Sequence, residues 1–236
     1  MFHGKMKAIT FSYDDGVIQD RRLVPLLDKY GLKATFNLNS EWLGQKHVFQ
    51  SEEKPFEHIK IETSEVCKLY EGHEVAVHTL THPKLPTLSD EEVIRQVEQD
   101  RLNLSKLVGY EVIGMAYPGG GENHDDRVAR IVKEHTKVKY ARTIISTGSF
   151  ETNQDLYKFK PTAHHLEENG RTYELCKQFI EMKTDIPQLL YIWGHSYELD
   201  WDDRWSELEE IFKLVSGRKD IFYGTNREVI ECIIKG

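Results

Sequence analysis

With 236 residues, 39% of them hydrophobic and 30% charged, the chain has the composition of a soluble globular domain with apolar mass for one sizeable core. A formal net charge of −8 argues against general binding of nucleic acid or of an anionic membrane surface. No apolar run approaches the ~20 residues of a membrane span, and the start "MFHGKMKAITFSYDDG" lacks the apolar stretch and cleavage site of a secretory leader, so a cytoplasmic location is expected.

Strand and helix signals alternate along the chain. "KAITFS" reads as a first strand, and "DRRLVPLLDKYG" as a helix stopped by Gly31. "KATFNLN" is a second strand, followed by a long polar segment, residues 40–62. A helix around Ser64 to Tyr70 ends at Gly72, and "EVAVH" is a third strand. "SDEEVIRQVEQDRLNLSKLVG" is the clearest helix: Ser89 and Glu92 form a capping box, Val93, Val97, Leu104 and Val108 recur on one face, and Gly109 ends it.

"VIGMAY" is a fourth strand, "DDRVARIVKEH" a helix and "VKYARTI" a fifth strand. An irregular stretch leads to a helix from Thr172 to Lys183 and the apolar strand "QLLYIW". The amphipathic "WSELEEIFKLV", the strand "DIFYG" and a helix opened by Thr225 and Glu228 complete the chain. Such alternation implies a parallel sheet with helices outside. Seven or eight units without a linker point to an α/β fold of closed or nearly closed barrel type, one domain over residues 1–236. Cys67, Cys176 and Cys232 each fall in helical stretches and are expected as buried reduced thiols.

Barrels of this kind gather catalytic residues at the carboxyl ends of their strands. After the first strand come Asp14 and Asp15, and after the third "HTLTH", with His78 and His82. "YPGGGEN" follows the fourth strand, and "GHSYE", with His195, follows "QLLYIW". Two imidazoles four residues apart plus one carboxylate make a catalytic Zn²⁺ shell with open positions. Alone, that spacing is more often a pair of polar loop histidines; beside an Asp-Asp pair the metal reading gains. Adjacent aspartates diverge, so one can bind a metal while the other serves as a base, although Asp-Gly is also a common turn. His195 is open to three readings: third ligand, general acid, or structural histidine. Gly194 before it is expected to allow close approach of a substrate.

The motifs, in this order, resemble those of the polysaccharide deacetylase family (carbohydrate esterase family 4, with the nodulation-deacetylase homology domain). Its T-F-D-D-G stands here as "TFSYDDG", with two extra residues, and its H-[ST]-x-x-H as "HTLTH" preceded by "EGHEVAVH". "KATFNLN" and "YIWGH" match its second strand and its late motif, so the similarity runs from residue 7 to about 200. The resemblance implies a distorted (β/α)7-type barrel and a divalent metal ion, most often Zn²⁺, held by Asp15, His78 and His82. It implies Asp14 as general base on the attacking water and His195 as general acid for the leaving amine. Gly119, after Pro118, would lend its N–H to the oxyanion. The implied substrate is an N-acetylated sugar or oligosaccharide, with no nucleic-acid or membrane partner.

Departures from the pattern shape the expectations. The family's third motif, R-x-P-Y-G, has an arginine where "AYPGG" has Ala116; Arg142, ending the fifth strand, is the expected substitute cation for Asp14. The Asp that orients the catalytic His in the fourth motif has no counterpart in "YARTIISTGSF". Tyr191 and Trp193 replace two leucines, and Trp193 is expected to reshape the acyl pocket. Two further readings stay open: a hydrolase of a non-sugar C–N bond such as a cyclic imide or ureide, and a non-catalytic carbohydrate-binding relative. Asn37 and Asn39 point into the mouth or cap a turn. Trp42 and Trp201 are expected to pack, and His164 and His165 to be exposed.

Overall fold

The computed structural model describes residues 1–49, 56–201 and 203–235. β1 (Lys7–Asp14) is buried along its whole length, and its two-residue alternation sets the layering. Ile9, Phe11 and Tyr13 face the large core shared with the helices. Ala8 faces a second apolar cluster containing Tyr140, Phe159, Leu189 and Tyr191. The row Ala8, Thr10, Ser12, Asp14 therefore climbs from apolar packing to a carboxylate.

Seven parallel strands lie side by side in the order β7 (Tyr140–Arg142), β6 (Gly114–Ala116), β5 (Glu74–Val77), β2 (Ala34–Leu38), β1, β9 (Gln188–Gly194) and β8 (Ala163–His164). An eighth, β10 (Ile221–Tyr223), pairs with the first residues of β1. Between the outermost strands, Phe159 bonds through its backbone to Ala141 and Thr143, while the N–H groups of Thr162 and His165 donate to Tyr191 and Trp193. That segment draws the two edges of the curved sheet together, giving the distorted barrel implied by the sequence. The helices α1 (Asp20–Lys29), α2 (Val66–Leu69), α3 (Asp90–Ile94), α4 (Asp100–Val108), α5 (Asp126–His135), α6 (Arg171–Glu181), α7 (Glu198–Trp201), α8 (Trp205–Val215) and α9 (Asn226–Lys235) separate or follow the strands. Among the described residues, no helix is long and apolar enough to cross a membrane.

Parity positions the site. The inward row of β1 ends on Asp14, and the same parity on β2, β5, β7 and β9 ends on Asn37, His78, Arg142 and Trp193. Each of these lies at or just past a strand's carboxyl end.

Three expectations change. The polar segment 40–62 contains an antiparallel hairpin of β3 (Lys46–Phe49) and β4 (Phe56–Ile59), with residues 50–55 outside the described residues. Four-residue strands mixing Lys, His and Glu with apolar residues carry too little alternation to be read. The long helix opens as expected, with Glu92 N–H donating to Ser89 Oγ at 3.3 Å, but a π-helical turn at Arg95–Gln99 separates α3 from α4. Cys67 is exposed and Cys232 half-buried; Cys176 alone is buried, and all three thiols are free.

Candidate active site

Asp14 and Asp15 are adjacent, buried and each matched to its own cation. Arg142 Nη2 lies 2.5 Å from both oxygens of Asp14, and Asn37 Nδ2 donates to Oδ1 at 2.8 Å. Ala116, where the family's arginine stands, is the cross-strand partner of Arg142 in the β6–β7 ladder. The cation thus arrives from one strand over, above a side chain small enough to leave room. Lys60 Nζ lies 3.2 Å from Asp15 Oδ1 and donates to Asp15 O at 2.8 Å. Burial pushes both carboxyls up. The Arg142 guanidinium with His78 and His195 at Asp14, and the Lys60 ammonium with His82, His195 and His78 at Asp15, together outweigh it, so both stay below the usual carboxylate range.

His78 and His82 converge on Asp15, the three offering ligand atoms within 4.8 Å of one another. The loop between them is braced. Leu80 N–H donates to Gln96 O at 3.1 Å, and Thr81 exchanges hydrogen bonds with the Gln96 side chain at 3.0 and 3.2 Å. The π-helical turn carrying Gln96 is the kind of local irregularity that accompanies functional sites. Asp100 accepts from His78 N–H at 3.2 Å, and Asn39 Nδ2 donates to His78 O at 2.6 Å. Asp15, Thr79 and His82 adopt positive φ (81°, 69° and 53°), each at a cost on the order of 1–3 kcal/mol that this bracing must hold.

The donor set fits a metal ion. His78 Nδ1 donates to Ala116 O at 2.9 Å, which leaves the lone pair on Nε2. That Nε2 is buried and, among the described residues, without a hydrogen-bond partner. Burial lowers the pKa of His78 to about 4 and that of His82 below its ordinary value, so both rings are neutral as ligands must be.

His195 Nε2 stands 4.0 Å from Asp14 Oδ2 and from Asp15 Oδ2. Its Nδ1 is 3.1 Å from Glu198 Oε1. Burial works against its charge, but Glu198 and the two aspartates outweigh it and lift its pKa to about 9. Burial likewise opposes the charge on Glu198, whose carboxyl His195, His164 and His165 nevertheless hold well below its usual range. Sequence reasoning missed Glu198, although "GHSYE" places it one helical turn after His195. It also expected His164 and His165 at the surface. His165 is fully buried and His164 only 22% exposed by side chain, because the segment before them returns to pair with β9. Nor is Gly194 left open for a substrate: a Cβ there would meet the His165 ring at 2.2 Å.

A cavity of about 220 Å³ joins these groups, lined by both aspartates, His82 and His195 with Tyr117, Gly119, Gly120, Ile144, Trp193, Tyr197 and His58. His58, on β4, meets Tyr197, after β9, with ring centroids 4.1 Å apart. Trp193 lies under the Arg142 guanidinium at 4.6 Å. Asn123 Nδ2 holds the Gly119 loop through Tyr117 O and Gly119 O. Asn37 and Asn39 are buried donors, Asn37 Nδ2 to Asp14 Oδ1 and Asn39 Nδ2 to His78 O and Thr79 O, and neither lines the cavity. Trp42 packs beside His82 and Lys60, and Trp201, 46% exposed, packs against Tyr197 with ring centroids 5.4 Å apart.

The sequence model described as polysaccharide deacetylase matches residues 3–139, more than half of the chain. The chain belongs to the polysaccharide deacetylase family. The matched span holds Asp14, Asp15, His78, His82 and Gly119 and ends before Arg142, His195 and Glu198. Among solved structures, the deacetylase PplD of Streptococcus pyogenes, in complex with acetate, is 21% identical with a TM-score of 0.52 over 63% of this chain. This chain spans only 61% of that protein's length. A mutant of the peptidoglycan deacetylase PdaC from Bacillus subtilis is 16% identical, with a TM-score of 0.58 over 98% of this chain and 92% of its own. A CE4 family pseudoenzyme from Bacillus anthracis is 18% identical, with a TM-score of 0.52 over 95% of this chain and 66% of its own. Such distant likenesses establish the fold. No curated protein matches the chain.

Proposed function

We propose that the chain is a metal-dependent hydrolase, one barrel domain over residues 1–236, that removes an acyl group, such as acetyl, from an amide nitrogen of an N-acetylated sugar or oligosaccharide. The observation that carries this reading is the partnerless Nε2 of buried, neutral His78 beside Asp15 and His82, with Asp14 and His195 within reach. Asp15, His78 and His82 would hold one divalent ion, Zn²⁺ by the chemistry of the donors, which would supply Lewis acidity for the amide carbonyl and for the attacking water.

This chain's residues supply the rest. Asp14, kept ionised by Arg142 and aimed by Asn37, accepts the proton of the attacking water. Its lowered pKa makes it a weak base, so the water must be acidified in the site. Gly119 N–H faces the developing oxyanion from the loop braced by Asn123. His195 gives a proton from Nε2 to the departing nitrogen, and Trp193 bounds the acyl group. Three free thiols accord with a cytosolic setting as part of the same proposal.

The 220 Å³ cavity, crossed on one side by the His58–Tyr197 contact, favours a second reading in which the same groups cleave a small non-sugar amide or ureide. One screen separates the two: zinc-loaded protein with N-acetyl-chitooligosaccharides, N-acetylglucosamine derivatives and cyclic ureides, reading acetate or amine release. Acyl release from the sugars supports the first reading, and ring opening alone supports the second. No turnover of any of them by metal-loaded protein overturns both.

A further inference from the structure

An imidazole that donates from Nε2 needs a ring that cannot turn and a partner that keeps hydrogen on Nδ1. The family's fourth-motif aspartate is missing from this chain, yet His195 is not loose. Glu198 takes Nδ1 of His195 on Oε1 at 3.1 Å, and its Oε2 accepts from the His195 backbone N–H, also at 3.1 Å. One carboxylate therefore clamps both the ring and the main chain of the same residue. Oε2 is held in turn by His165 Nε2 at 2.8 Å and His164 Nε2 at 3.0 Å.

Counting donors assigns every ring. An ionised carboxylate only accepts, so each nitrogen facing it carries hydrogen. His164 Nδ1 accepts from Leu166 N–H at 3.3 Å, which leaves hydrogen on Nε2, as its contact with Glu198 requires. His165 meets Glu198 with Nε2, and its Nδ1 is buried without a partner among the described residues. Nδ1 of His195 is then the protonated atom facing Glu198, and Nε2 is left toward the paired aspartates at 4.0 Å.

We propose that Glu198, clamped by His164 and His165, is the positioning residue that fixes the His195 ring with Nδ1–H on the carboxylate and Nε2 facing Asp14 and Asp15. It takes the place of the missing aspartate from a different element, the helical turn after β9. Gly194 belongs to the same device, since only a residue without Cβ lets the His165 ring lie across the strand. Gly194→Ala therefore displaces His165 and loosens Glu198 without touching the cavity. His164, His195 and Glu198 could also group around a metal ion, but spacings of 2.8–3.1 Å with three donors on one oxygen are those of N–H···O bonds.

The proposal rests on the acid role given to His195, and its test does not need turnover. Protein labelled with ¹⁵N-histidine, treated with chelator and then given one equivalent of Zn²⁺, is examined by long-range ¹H–¹⁵N spectra at neutral pH. The expected result is a protected Nδ1–H on His195 in the wild type, lost or exchange-broadened in Glu198→Gln and weakened in Gly194→Ala, with Zn²⁺ moving His78 and His82 and leaving His164 Nε2 and the His195 Nδ1–H in place. An unprotonated Nδ1 on wild-type His195 overturns the proposal, whatever the variants do. So does a Zn²⁺ shift of His164 Nε2 and His195 Nδ1, which would put a metal where the hydrogen bonds are placed. On any substrate found active, Glu198→Gln should lower kcat about 10²-fold or more with KM nearly unchanged, as loss of a general acid's geometry requires. An unchanged kcat overturns the proposal, while absence of wild-type turnover overturns only the proposed function.

Discussion

The two halves of the barrel mouth build their polar groups in opposite ways. In the early half, from β1 to β5, neutral imidazoles face carboxylates that already own cations, Arg142 on Asp14 and Lys60 on Asp15. Burial, with His82 adding to it, takes the charge off His78, and among the described residues its Nε2 is left without a partner. In the late half, around β8 and β9, one carboxylate gathers three imidazoles and leaves His195 charged. One arrangement exposes a lone pair and the other secures a proton. The proposed amide hydrolysis calls for both at one cavity, and the pairing of β1 with β9 brings the two halves together.

That contrast can be broken at single residues. The largest effect is expected from Asp14→Asn. Turnover should fall on the order of 10²–10⁴-fold in steady-state assays because the proton acceptor is lost, and stability should fall too, since the buried Arg142 guanidinium loses its counter-charge. Full activity in this variant would remove Asp14 from the chemistry.

Arg142→Ala should come next, and it strikes stability as well. Side chains 1% and 2% exposed form this ion pair, so deleting the guanidinium strands a buried carboxylate at a cost of about 3–5 kcal/mol. Urea unfolding measures it. A loss below about 1 kcal/mol would mean that Asp14 does not depend on Arg142.

The smallest effect is on pH dependence, and it sharpens the late half. The folded pKa of His195 is raised to about 9 from an unfolded value near 6.5. Its contribution to stability is thus complete below about pH 6.5 and lost as pH rises through 9. In chelator-treated protein, the stability gap between wild type and Glu198→Gln should narrow by on the order of 1–3 kcal/mol from pH 6.5 to pH 10. A gap that stays constant over that range would contradict a charged His195.

Legibility divides along the same line. Asp14, Asp15, His78 and His82 could be read because neighbours or residues four apart at a strand end reveal their proximity locally. Arg142 could be read because it ends the strand next to the one where the family's arginine is missing. Glu198 was written one turn after His195 but masked by looking only for an aspartate in an earlier strand. His165 and Lys60 were not legible, since nothing local shows that residues 159–165 return to β9 or that Lys60 reaches Asp15 across 45 positions. The alternation gave away the barrel, while the hairpin of β3 and β4 was too short and polar to announce itself.

The central claim is that two adjacent aspartates divide two tasks, Asp15 holding a metal ion and Asp14 holding a proton. Metal content after zinc loading and gel filtration tests it most directly in wild type, Asp14→Asn and Asp15→Asn, the asparagine at position 15 being a residue that tolerates positive φ. The account predicts about one equivalent in the wild type and in Asp14→Asn, and a clear loss in Asp15→Asn. Retention in Asp15→Asn with loss in Asp14→Asn would contradict it.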